Sequence, residues 1–141
     1  MGAASPTPRE LVARACLTYG HDVVITRCAA LARGEVAEPI FLSDLVGRPA
    51  QTVLSGREGS LDGYWPRVWG LRAFLYAYNA SVDAAIRAGT RDDSWRVREM
   101  AAKVTRQHAI HDLLDDMIRL RSDDVPRVRA AAERALRALA E

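Results

Sequence analysis

Apolar positions recur at intervals of three and four along most of this chain, the period of amphipathic helices, and no segment alternates apolar and polar residues as a strand would. The pattern predicts an all-α protein. Thr7, Pro8 and Glu10 form a capping-box start, Leu11, Val12, Ala15 and Cys16 follow at helical spacing, and Gly20 ends the helix. A second helix is expected from Asp22 to Arg33, stopping at Gly34, and a short third from Ile40 to Val46, closed by Gly47. Residues 48–63 read as a loop, punctuated by Pro49, Gly56, Gly59 and Gly63, in which Ala50 to Leu54 has room for one helical turn. Helices then return over Tyr64–Tyr78, Val82–Ala88 (Ser81 as cap, Gly89 as stop), Trp95–Gln107, Ile110–Leu120 and Pro126–Leu139. At 141 residues this is one domain: N-terminal helices over 1–47, the loop over 48–63 and an array over 64–141.

Composition narrows the function classes. With 49% hydrophobic and 27% charged residues the chain is of globular type, and 20 basic residues against 18 acidic give no strong overall field for nucleic acid or membrane. No run of about 18 apolar residues suggests a spanning helix. The N-terminus has no basic stretch followed by an apolar segment, and Pro6 stands where a myristoylation signal at Gly2 needs Ser or Thr, so a cytoplasmic location is expected. Cys16 and Cys28 read as small buried hydrophobes; without a CxxC spacing, a redox pair or metal site has little support. The cations are 19 Arg and one Lys, Lys103.

Laying the last helices over each other exposes a repeat. Residues 92–98, Asp-Asp-Ser-Trp-Arg-Val-Arg, match residues 123–129, Asp-Asp-Val-Pro-Arg-Val-Arg, at an offset of 31, and Ala101 falls on Ala132. An earlier, degenerate copy begins at Asp62, with Arg67-Val68 placed 29 residues before Arg96-Val97. Val97, Met100, Ala101 and Val104 mark one apolar face; Val128, Ala131, Ala132, Ala135 and Leu136 mark another. Neither helix buries its face alone, so neighbours must stack. A period near 30, an acidic turn and Val-Arg opening an Ala-rich helix together resemble HEAT repeats over residues 62–141. The resemblance implies a short right-handed α-solenoid of helical hairpins, with the N-terminal hairpin as a cap or a divergent unit. It also implies a ladder in which turn Asp and helix Arg pair across neighbouring repeats: Asp92, Arg98, Asp123 and Arg129 match. Gly63 and Trp69 depart from that pattern, so the ladder is expected to begin at the second copy.

Candidate sites follow. Six of the nine aromatics lie between Tyr64 and Tyr78; Trp65, Trp69 and Tyr76 share an approximate helical face, which is either core packing or an aromatic wall along a groove that Trp95 extends. Arg67, Arg96 and Arg127 recur once per copy and would form a column, either solvated and paired with local Asp or facing an anionic partner. His108, His111 and Asp112, with Asp115 and Asp116 beyond, bring metal to mind. The His pair spans a turn, however, and HEAT-like deoxyhypusine hydroxylases use several His-Glu pairs, where this chain has only His21-Asp22 and His111-Asp112. Helix capping by Asp112 is the expectation, with no metal and no cofactor. Ser55 and Ser60 have no identifiable base, and no GxSxG or Gly-rich phosphate loop occurs.

The expected function is therefore a non-enzymatic module that grips a protein partner in a groove bearing Trp65, Arg67, Trp69, Tyr76, Trp95, Arg96 and Arg127, since Trp and Arg dominate interface hot spots. The alternative is DNA binding or repair, because some DNA glycosylases acting on alkylated bases resemble this chain in carrying Trp, Arg and Asp on HEAT-like helices; their catalytic Asp matches no position here, and Asp62 or Asp83 would be a guess. The 14 basic and 12 acidic residues of the region 62–141 weigh against that alternative.

Overall fold

The Thr7 hydroxyl accepts the Glu10 amide, and the Glu10 carboxylate accepts the Thr7 amide, so the expected capping box sets the start of α1 (Pro8–Tyr19). The computed structural model describes residues 4–36, 38–56 and 63–141; Ser60 and Asp62, named above, lie outside the described residues. Gly20, at φ 91°, turns the chain into α2 (His21–Ala32). Then come α3 (Pro39–Val46) and α4 (Pro49–Leu54), each with Pro in its first turn. The helical turn allowed for within the predicted loop is thus a helix, α4, seated against α3 by Ala50 and Val53.

The array half begins with α5 (Trp65–Ala73), shorter than the expected Tyr64–Tyr78. Residues 74–77 continue as tight turns whose amides reach the carbonyls of Leu71, Arg72 and Ala73. A 3₁₀ turn, Ala80–Val82, leads into α6 (Asp83–Gly89); its cap is Asn79, whose side chain accepts the Ser81 amide, rather than Ser81 itself. Next are α7 (Trp95–His108), a second 3₁₀ turn (His111–Leu113), α8 (Leu114–Leu120) and α9 (Pro126–Leu139). Asp112 lies in that second turn without a side-chain capping bond, so the expected cap is not made. Among the described residues there are nine α-helices and no strand.

The offset of 31 holds for whole elements: the 3₁₀ turns start at 80 and 111, their following helices at 83 and 114, and the long helices at 95 and 126. Packing explains why. Helix α7 is buried on two sides: Val97, Ala101 and Val104 join the larger apolar cluster with α5 and α6, whereas Ala102 joins the smaller one with Met117, Leu120, Val128, Ala132 and Ala135. Small residues at these contacts let the helix axes approach closely. Gly70 takes this furthest: it holds the place of Ala101 and Ala132 one period earlier, and a Cβ there would lie 2.6 Å from the Cys28 carbonyl oxygen of α2. The N-terminal helices are joined to the array through this seam between α2 and α5.

Candidate functional site

The turn ladder is built from bidentate Arg–Asp pairs. Arg98 on α7 donates from Nε (2.8 Å) and Nη2 (3.2 Å) to the two carboxylate oxygens of Asp123. Its Nη1 donates back to the carbonyl oxygen of Asp92, 2.8 Å away. Arg67 on α5 grips Asp92 in the same fashion, at 2.8 and 3.1 Å. The ladder therefore starts one copy earlier than expected. Each Asp also accepts the amide two residues on, Ser94 for Asp92 and Val125 for Asp123, which fixes the turn before the next helix. Burial alone would raise the Asp123 carboxyl, but the Arg98 hydrogen bond, the Val125 amide and the charges of Arg98 and Arg129 outweigh it and hold the group below its ordinary value. Arg129 repeats the backbone half of the motif, donating Nη1 to the carbonyls of Asp123 (2.7 Å) and Asp124, and has no carboxylate partner among the described residues.

These contacts set the register. Arg67, Arg98 and Arg129 are 31 residues apart and do the same work, so Arg67 is the counterpart of Arg98 and not of Arg96. The expected column of Arg67, Arg96 and Arg127 does not form, and Trp65 stands in the first place of that row. The row Trp65, Arg96, Arg127 is continuous through ring faces. The Arg96 guanidinium lies 5.7 Å from the Trp65 ring centroid, 5.3 Å from Tyr64 and 4.5 Å from Trp95. Arg127 lies 5.0 Å over the Trp95 ring and donates to both oxygens of Glu99, at 2.9 and 3.2 Å. Trp65 stacks on Trp69 with centroids 6.1 Å apart.

The aromatics divide. Trp69 is core, only 6% exposed, with its edge reaching a pocket that Trp65, Val53, Pro49 and Arg72 also line. Tyr76 packs on the core, and Arg9 of α1 covers its ring at 5.1 Å, so it does not join the Trp65 row. Tyr78 stacks on His108, whose Nε2 meets the Phe74 carbonyl. Burial and the Asp83 carboxylate that accepts its proton push the Tyr78 phenol up. Asp83, a candidate acid in the DNA-repair reading, is thus engaged by a tyrosine, and the Ser55 hydroxyl donates to the Thr52 carbonyl.

Two features were not found from the sequence. The first is a polar seam between α6 and α8. Asp116, nearly buried, receives Arg87 (3.3 Å) and Arg119 (3.4 Å), while Arg119 also donates to the Thr90 hydroxyl at 2.9 Å. The second is a set of cations on the same helix stripe as Arg96 and Arg127. Lys103 and Arg106 on α7 recur 31 residues later as Arg134 and Arg137 on α9, and Arg72 on α5 precedes Lys103 by the same interval. Extending the 31-residue repeat past the turn exposes the cations but not the seam, since Arg87, Thr90, Asp116 and Arg119 fall opposite Ile118, Arg121, Ala85 and Ala88. Lys103, Arg106, Arg134 and Arg137 line a cleft of about 860 Å³ together with Leu75, Gln107, Ala131, Ala138 and Glu141. Arg72 is half-buried, and desolvation lowers its pKa, yet a guanidinium keeps its proton in such a setting.

Cations and ring faces thus lie along α5, α7 and α9, and the pocket beside Trp65 opens between α4 and α5. No protein family, curated protein or solved structure matches this chain. No helix among the described residues is long and apolar enough to cross a membrane.

Proposed function

We propose that this chain is a short HEAT-like right-handed α-solenoid acting as a non-enzymatic docking module for a protein partner, held on the exposed face of α5, α7 and α9. The observation that carries this reading is the row Trp65–Arg96–Trp95–Arg127, in which each guanidinium is held over a ring and so meets a partner with little entropy left to lose. Arg67 and Trp69 act in support of that face, the first through Asp92 and the second from the core. The period of 31, the turn Asp and the Arg–Asp ladder are the features that favour the HEAT-like reading.

The reading is tested by selecting peptides from an unbiased display library on the immobilised chain. Peptides are expected to be enriched, and to be lost by the double variant Arg96→Ala/Arg127→Ala while its melting temperature falls only slightly, since exposed cation–π contacts contribute about 0.5–1 kcal/mol each. Failure to enrich any peptide, or equal retention by the double variant, would reject the face as a docking site.

A further inference from the structure

The cleft between α7 and α9 carries more charge than its surroundings neutralise. Arg106, Arg134 and Arg137 enter no ion pair among the described residues. Lys103 meets only Glu99, at 3.7 Å, and Glu99 is already held by Arg127. Elsewhere on these repeats arginines are committed: Arg67 and Arg98 to the ladder, Arg87 and Arg119 to Asp116. Arg91 and Arg121 also stand outside any ion pair among the described residues but apart from one another and from the cleft, whereas Arg106, Arg134 and Arg137 are gathered with Lys103 in one concave place, from two neighbouring helices.

We infer that this cleft seats an extended acidic peptide, a run of about four consecutive Asp or Glu residues. The inference rests on the docking-module reading and names its partner's chemistry. Lys103 and Arg106 lie at i and i+3 on one wall, with Arg134 and Arg137 at the same spacing on the other, about 5–6 Å apart along each helix. An extended chain advances about 3.3 Å per residue and points successive side chains to opposite sides, so alternate carboxylates about 7 Å apart address one wall and the intervening ones address the other. Long, flexible cation stems absorb the small mismatch in spacing. Arginine adds bidentate donation to a carboxylate.

The same features disfavour nucleic acid. A duplex is read by an element that projects into its groove, whereas this site is a furrow between two helices. Single strands are held on exposed ring faces, and the cleft lining contains none: its apolar members are Leu75, Ala131 and Ala138.

Fluorescence anisotropy with labelled peptides tests this. A peptide carrying four acidic residues in a Gly/Ser frame is expected to bind in the micromolar range at low salt and to weaken steeply as salt rises. Its Gln counterpart is expected not to bind. Arg134→Glu/Arg137→Glu should weaken binding about tenfold or more. Arg121→Glu, an exposed change on the α8 side, should leave it intact; a thermal melt confirms that each variant is folded. Equal binding of acidic and Gln peptides, an equal loss with Arg121→Glu, or tighter binding of a single-stranded oligonucleotide would overturn the proposal. If library selection instead enriches non-acidic peptides that depend on Arg96 and Arg127, the acidic-peptide inference falls and the docking module stands.

Discussion

Arg98 and Asp123, 25 residues apart in sequence, are joined by two parallel hydrogen bonds, with the arginine 17% and the aspartate 9% exposed. Arg129 holds the same place one period on, anchored to the same kind of backbone carbonyls but with no carboxylate beyond it among the described residues. One residue type thus occurs in one setting with and without its partner, which isolates the partner's contribution.

Arg98→Ala strands a largely buried carboxylate and removes two charge-assisted bonds, so it is expected to cost about 1–3 kcal/mol. Arg129→Ala breaks only its bonds to backbone carbonyls and is expected to cost distinctly less. Chemical denaturation of both variants beside the wild type gives the comparison; equal costs would mean that the Asp123 pairing adds nothing to stability.

Acid should reveal the same pair. The Asp123 pKa is depressed in the folded protein, so the group contributes stability above its unfolded value of about 3.9 and loses it as pH falls through the lower folded value. Asp123→Asn is therefore expected to be less stable than wild type at neutral pH, with the difference shrinking below about pH 4. Melts taken from pH 7 to pH 3 check the sign, and a gap that widens in acid would contradict it.

Much of this fold was legible in the sequence, because helix boundaries depend on local chemistry. Thr7, Pro8 and Glu10 set one start, and Pro126 set another at the very residue expected. Where local signals competed, the outcome moved. Ser81 was the expected cap, but Asn79 reaches the Ser81 amide and a 3₁₀ turn precedes α6. The site was less legible. Matching Arg-Val to Arg-Val puts Arg67 beside Arg96, because Arg67-Val68 imitates the repeat two residues out of register. Only the contact with Asp92 shows which arginine does which work. The cleft is marked only by the repeat extended past the turn, because its four cations come from two helices and arginine is common throughout the chain.

Gly70 tests the seam between the two halves of the chain. A methyl group there would meet the Cys28 carbonyl oxygen at 2.6 Å and the Ala32 amide nitrogen and Leu31 Cβ at 2.9 Å, and two of these are backbone atoms that cannot swing aside. Alanine gains about 1 kcal/mol of intrinsic helix preference, but overpacking of this kind typically costs about 1–3 kcal/mol, so Gly70→Ala is expected to lower the melting temperature. An unchanged or raised value would show that α2 and α5 can separate freely.

Ala109 presents the converse case. It follows α7 in the left-handed region, at φ 47° and ψ 55°, where a Cβ is unfavourable. Glycine relieves that strain and gives some of it back through the greater freedom of the unfolded chain. Ala109→Gly is expected to be neutral to stabilising by up to about 1 kcal/mol, in contrast to the usual loss when glycine replaces alanine. A loss of stability on denaturation would show that the Ala109 methyl packs more strongly against its neighbours than the backbone is strained.

The two cysteines should differ in reactivity, because the thiolate is the attacking form and burial opposes it. Cys28 is fully buried on α2, beneath the seam with Gly70, and desolvation with a smaller contribution from Cys16 raises its pKa to about 12. Cys16 is partly exposed, with its pKa raised by burial alone. A thiol reagent at mildly alkaline pH is expected to label Cys16 first and Cys28 only when the structure opens, so the Cys28 rate should follow denaturant while the Cys16 rate changes far less. Gly70→Ala, by forcing α2 and α5 apart, should speed Cys28 labelling more than it speeds Cys16 labelling. Equal acceleration of both would place the weak point of the fold elsewhere than this seam.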